Sequence, residues 1–264
     1  MMLPYHLVFY WISSNNDMAN VILFNKPYGV HSQFRKDNDD MATLADFFAD
    51  KTLRVAGRLD KDSEGLLILT DDGALNHAIT TPPNKGNAKE HGKTYLVQVE
   101  NIPTAEQLHQ LSAGVPLKDG KTLPAIVRHL SEDELPIELW RRDPPIRERK
   151  SIPTSWLSMT IFEGKNRQVR RMVAHVGLPC LRLIRYQVGQ WSLGDKVQKL
   201  GVGEQLRIQL SDDELNKLGV SKNNPLKPSK SKPPKTSKFS PKSTKSNHPK
   251  NRHHQANNKK RPKF

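Results

Sequence analysis

Residues 21–24 (Val-Ile-Leu-Phe) and 66–69 (Leu-Leu-Ile-Leu) are short unbroken apolar runs, which predict strands. From 93 to 99 polar and apolar residues alternate, so a third strand sets Tyr95, Val97 and Val99 on one face. The stretches 156–162 and 203–210 alternate in the same way. Val169, Met172, Val173 and Val176 recur instead at helical spacing. They predict a short amphipathic helix with Asn166 as N-cap, stopped by Gly177 and Pro179. Two more helices announce themselves by capping boxes, Thr104 with Gln107 over 104–113 and Ser211 with Glu214 over 211–218, the second ended by Gly219. Strands and helices mixed in this way predict an α+β fold, with the packed part ending near Val220.

Charge changes the picture at the C-terminus. The chain carries a formal net charge of +15, but 14 of its 42 Lys and Arg lie in residues 221–264, which contain no Asp or Glu. The remainder holds 28 basic and 27 acidic side chains and is close to neutral. Residues 221–264 are rich in Lys, Pro and Ser with few apolar residues, so they are expected to be a disordered tail giving salt-sensitive attraction to RNA or solubility alone. Residues 1–17 read as an N-terminal extension before a domain of residues 18–220. Their apolar hexamer, 7–12, is too short to span a bilayer or to resemble a secretory signal. Cys180 is the single cysteine, which excludes a disulfide framework, suits a reducing cytoplasm and reads as a small packing residue. The ten histidines show no ligand spacing, so no metal is expected.

The candidate chemistry begins at Gly57-Arg58-Leu59-Asp60-Lys61-Asp62-Ser63-Glu64-Gly65, a loop bracketed by glycines and leading into the apolar strand. Alone, it reads as a charged hairpin turn. Asn25-Lys26-Pro27-Tyr28-Gly29 displays a lysine on a defined turn at another strand end. In Lys165-Asn166-Arg167-Gln168-Val169-Arg170-Arg171, three arginines crowd the start of a helix, opposite its apolar stripe. Like charges there oppose both one another and the helix dipole, so an anionic partner is implied. From 141 to 185 there are eleven Lys and Arg against three acids. Trp156, Tyr186 and Trp191 lie near this basic stretch, as core residues or as platforms for bases.

These blocks in this order resemble the pseudouridine synthases, specifically the RsuA-type branch that modifies ribosomal RNA. The most specific are Gly-Arg-Leu-Asp-x-x-Ser-x-Gly-Leu-Leu at 57–67 and Gly-x-Asn-Arg-Gln-Val-Arg-Arg-Met at 164–172. The segment Pro-Pro-Ile-Arg-Glu-Arg-Lys-Ser-Ile-Pro-Thr-Ser-Trp-Leu at 144–157 is closer still to the E-type enzymes, which act on large-subunit RNA. The resemblance implies a mixed, largely antiparallel sheet in two subdomains, with a central active-site cleft running across it. It also implies isomerisation of one uridine to pseudouridine in large-subunit ribosomal RNA, without cofactor or metal, by a cytoplasmic monomer that no membrane anchors. Residue by residue, it makes Asp60 the essential aspartate, acting either as nucleophile or as base at C2′. Arg170 becomes its ion-pair partner and Tyr95 the aromatic residue beside the base, with Val169 and Arg58 at the substrate pocket. Lys26, Lys93, Lys165, Arg167 and Arg171 are carried over as RNA-binding or supporting residues. Many RsuA-type enzymes carry an N-terminal S4 domain, for which this chain has no room. The alternative is a catalytically silent RNA-binding or ribosome-assembly protein, for which a carboxylate facing an anionic ligand would have no use.

Overall fold

The computed structural model describes residues 19–81, 92–147 and 151–220. The expected extension at 1–17 and tail at 221–264 lie outside these. Among the described residues, nine strands form one mixed sheet, and two short ones, β5 (Pro116–Leu117) and β6 (Gly120–Lys121), pair as a separate hairpin. The strands that organise the site are β1 (Ala19–Lys26), β3 (Glu64–Thr70), β4 (Lys93–Glu100), β8 (Thr154–Ile161) and β9 (Cys180–Val188). The sheet is flanked by β7 (Ile126–Leu130) and β11 (Gln205–Leu210), while the short β2 (Arg54–Ala56) pairs with β3 and β10 (Trp191–Ser192) with β9.

Pairing is antiparallel except between β3 and β9, which meet in parallel over Glu64↔Ile184 and Gly65↔Arg185. The second edge of β3 is thus shared, with β2 holding its C-terminal end and β9 its first two residues. That short parallel contact joins the β11-β1-β3 half to the β9-β4-β8-β7 half. Gly65 makes it geometrically feasible. Its φ is +101°, and a Cβ there would lie 2.5 Å from the carbonyl oxygen of Arg185, a position open to glycine alone.

The apolar runs in β1 and β3 are explained by burial on both faces of the sheet. Ile22, Phe24, Leu67 and Leu69 face one core with Val97, Leu157 and Leu183. The helix α3 (Gln168–His175) covers this core with Val169, Met172 and Val173. Val21, Leu23, Leu66 and Ile68 face the other core, covered by Leu75 and Ile79 of α1 (Gly73–Thr80) and Leu215 of α4 (Asp212–Lys217). Both expected capping boxes are present, at Thr104 before α2 (Ala105–Ala113) and at Ser211 before α4. Trp156 and Trp191 are buried in the second core, and Tyr186 donates its hydroxyl to Gly194 O at 2.9 Å. All three are accounted for by packing and hydrogen bonding.

Candidate active site

The loop between β2 and β3 is held by its backbone. Every carbonyl oxygen from residue 57 to residue 62 accepts a hydrogen bond. Gly57 O and Arg58 O receive Arg185 Nη2 and Nη1 at 2.9 and 3.5 Å. Leu59 O receives Ser32 Oγ at 2.7 Å, and Asp60 O receives Ser63 N at 3.1 Å. Lys61 O receives Gly29 N at 2.7 Å, and Asp62 O receives Arg170 Nη2 at 2.6 Å. A loop with all its acceptors engaged has few alternative conformations, so the carboxylate of Asp60 is presented from a rigid frame.

Asp60 opens onto a cavity of about 520 Å³ whose walls include Arg58, Lys93, Tyr95, Lys165, Arg167 and Val169. Sequence reasoning thus placed these seven residues in one site, although they come from the loop, β4 and the entry to α3. Tyr95 and Val169 are almost wholly buried, Tyr95 facing the same core as Val97 and Val99. Lys93 is held below the usual lysine range, first by burial and then by the Arg185 charge. Lys165 donates to Gly120 O and Lys121 O at 3.2 and 3.0 Å.

Three expectations need correction. Arg170 does not pair with Asp60. Its guanidinium reaches Asp62, with Nη2 on the carbonyl and Nε 3.6 Å from Oδ2, whereas Arg167 Nη1 lies 3.3 Å from Asp60 Oδ2. Arg167 also grips Asp62 with both terminal nitrogens, at 2.9 and 2.7 Å, and this lowers the carboxyl pKa of Asp62. The cause lies in the helix start. Arg167, not Asn166, occupies the N-cap position, in the left-handed conformation (φ 47°, ψ 34°) and with no side-chain cap. That conformation costs a non-glycine residue about 1–2 kcal/mol. Here it accompanies a side chain turned across the loop rather than along the helix.

Secondly, Lys26 cannot be an RNA contact. It is completely buried, its Nζ donating to Pro27 O and Val30 O at 2.8 Å each, and burial lowers its pKa to about 7. The turn it stabilises presents Gly29 N to the loop that carries Asp60, so this motif acts as a brace. Thirdly, Arg171 is engaged in a bidentate pair with Asp119, at 2.7 and 3.0 Å. The anionic partner implied by three crowded arginines is therefore, in large part, the protein's own Asp60, Asp62 and Asp119.

Arg185 was missed as a site residue. It is 1% exposed, lines the cavity, and has no carboxylate within ion-pair distance among the described residues. Its donors go to Gly57 O, Arg58 O and, at 2.7 Å, Leu66 O. Burial lowers its pKa, opposed by Tyr95, which stands directly across the β4/β9 ladder. A bulge there pairs Thr94 with Gln187 and Tyr95 with Arg185, and such a bulge re-aims side chains. Nothing in a strand pattern such as Leu-Arg-Leu-Ile-Arg distinguishes this arginine from an exposed one. Cys180 is half-buried beside Arg170 Nη1 at 3.4 Å, and burial pushes its thiol up to about 11. Among the described residues no group of His, Cys, Asp and Glu could hold a metal, and no helix is long and apolar enough to cross a membrane.

Residues 20–175 match the profile of the family described as RNA pseudouridylate synthase. Over 190 residues, covering 72% of this chain and 75% of the relative, the sequence is 51% identical to the ribosomal large subunit pseudouridine synthase E of Vibrio vulnificus. It is 55% identical over 174 residues to the protein of that name from Xanthomonas axonopodis pv. citri, covering 66% and 87% of the two chains. A crystal structure of a pseudouridylate synthase superposes with a TM-score of 0.56 at 30% identity, over 79% of this chain and 75% of that one.

Proposed function

The chain belongs to the RNA pseudouridylate synthase family, and from that premise we propose that it isomerises a uridine of large-subunit ribosomal RNA, with Asp60 initiating the reaction. The reaction breaks the N-glycosidic bond at C1′, turns the uracil and rejoins it through C5. It involves no net oxidation, reduction or hydrolysis, so it calls for no redox cofactor. It does call for a carboxylate at the sugar, a pocket that retains the loose base, and cations that tolerate the RNA phosphates.

The single observation that carries this reading is the presentation of Asp60 by a loop whose carbonyls are all engaged, at the mouth of a cavity lined by Tyr95 and Val169. A volume of about 520 Å³ falls in the range of ligand pockets, ~300–1,000 Å³, and has room for a flipped nucleoside. Extruding that nucleoside from its RNA costs a few kcal/mol. Arg58, Lys93, Lys165 and Arg167 line the same cavity and supply compensating charge. Tyr95 packs the base, while Arg170 and Arg185 position the loop. Asp60 serves as nucleophile or as base at C2′. We place the enzyme in the cytoplasm as a monomer, with residues 221–264 adding nonspecific attraction to RNA.

The test is Asp60→Asn, assayed by carbodiimide primer extension on large-subunit ribosomal RNA. The expected result is loss of pseudouridine with RNA binding retained. Full turnover by the variant would overturn the assignment of Asp60. Unmodified RNA from the wild-type reaction would overturn the substrate.

A further inference from the structure

A second cavity, of about 530 Å³, lies beyond the active site and matches it in size. Its floor is the opposite face of the sheet, lined by Gln98 and Glu100 of β4, whereas the catalytic cavity takes Lys93 and Tyr95 from that strand. Its outer wall is the segment 140–147, part of the connection 131–153 between β7 and β8. Connections longer than about 12–15 residues are uncommon unless they have a function or are disordered. The first half of this one is anchored. Leu135 and Ile137 are buried in the second core, and Trp140 Nε1 donates to Glu64 Oε1 at 2.8 Å. Arg182 donates to both oxygens of Glu64 at 2.8 Å and to Trp140 O at 3.1 Å.

Beyond that anchor the wall displays Arg141, Arg142 and Arg147. None of the three has a carboxylate within ion-pair distance among the described residues, unlike Arg167, Arg170, Arg171 and Arg182. Arg142 donates to Pro144 O at 2.8 Å and stacks 4.4 Å above the ring of Tyr28. Three guanidinium groups gathered on one wall repel one another, and a polyanion relieves that repulsion. Trp140 and Ile146 give the same cavity an apolar surface against which a base or ribose can lie.

We infer that this cavity is a second RNA site, gripping a phosphodiester segment of the substrate remote from the target uridine. The inference rests on the proposed RNA substrate and adds a recognition surface to it. Tyr95 and Glu100 are five residues apart on β4, about 17 Å at strand rise, and they face opposite ways. The two sites therefore hold nucleotides that are not adjacent, so the enzyme reads a folded or extended RNA rather than a short strand. Glu64 follows the catalytic loop directly, and Tyr28 precedes the Gly29 that clamps Lys61 O. The arginine wall is thus tied at both its contacts to the frame that presents Asp60.

The test is the double variant Arg141→Ser/Arg147→Ser, both exposed positions, beside a control with the same charge loss outside the cavity, Arg128→Ser/Arg207→Ser. The probes are a full-length large-subunit ribosomal RNA transcript and the shortest transcript that the wild type still modifies. On the full transcript the cavity variant should bind about tenfold more weakly. Its slope of log affinity against log salt should shrink by about 1.4–1.8, the release expected for two phosphate contacts. Turnover at saturating RNA should be unchanged, the shortest transcript should bind as before, and the control should shift less than twofold. Wild-type affinity and slope in the cavity variant overturn the second site. So does an equal loss in the control, or a loss of polyglutamate binding with RNA binding intact, which would mark a site for an acidic protein. In each case pseudouridine formation by the wild type still reports separately on the activity.

Discussion

Arg170 Nη2 donates to the carbonyl oxygen of Asp62 at 2.6 Å, so this arginine holds the backbone of the Asp60 loop and leaves the carboxylate of Asp60 to Arg167. Arg170→Leu should therefore lower turnover by about a hundredfold or more, the usual order for a misplacement of ~1 Å at a reacting group. RNA affinity should move less than twofold, because Arg170 does not line the cavity. Single-turnover rates and filter binding separate the two. A variant weakened only in affinity would show that Arg170 contacts RNA.

Arg167→Gly should separate stability from activity. Glycine relieves the left-handed backbone at this position, while the part-exposed pairs to Asp60 and Asp62 contribute ~0–1 kcal/mol. Urea unfolding should thus differ from wild type by less than about 1 kcal/mol. Turnover should fall, since Asp60 and Asp62 lose their bridging cation. Unchanged turnover would remove Arg167 from the site.

Gly65→Ala tests the seam between the halves of the sheet. The new Cβ would collide with Arg185 O and N at 2.5 and 2.9 Å, in a backbone conformation that alanine resists. A loss of at least about 2 kcal/mol is expected from thermal or urea unfolding. Wild-type stability would mean that β3 and β9 do not meet here.

Lys26 makes a pH-dependent contribution of known sign. Its pKa is about 7 in the folded protein against 10.5 for the free side chain. Between these values the unfolded chain binds the extra proton, so the contribution of this group to stability rises with pH. Below pH 7 it is a constant penalty. Wild type should accordingly gain on Lys26→Gln between pH 7 and 9.5 in paired urea titrations. Parallel pH profiles would mean that the lysine is solvated and open to RNA after all.

Much of the fold was legible because strand and helix signals are local. The apolar runs in β1 and β3, the alternation in β4 and the boxes at Thr104 and Ser211 each lie within a few neighbouring residues. That Asp60, Tyr95 and Val169 belong together was legible too, since they sit in distinctive blocks, and they line one cavity. The roles of the cations were not. Arg167, Arg170, Arg171 and Lys26 look alike in a sequence, because a lysine or arginine carries the same charge whether it faces RNA, a carboxylate or a buried carbonyl.

The sequence by itself determined the principal strands, the capped helices and the family, all of which depend on short-range pattern and composition. Only the tertiary structure decided which charges meet. That choice depends on the left-handed turn at Arg167, the bulge opposite Tyr95 and the close passage of Gly65 along Arg185. The frame around Asp60 is closed by Ser32, Arg170 and Arg185, whose bonds span between 27 and 128 residues of chain. Distances in sequence of that size carry no signal until the sheet has paired.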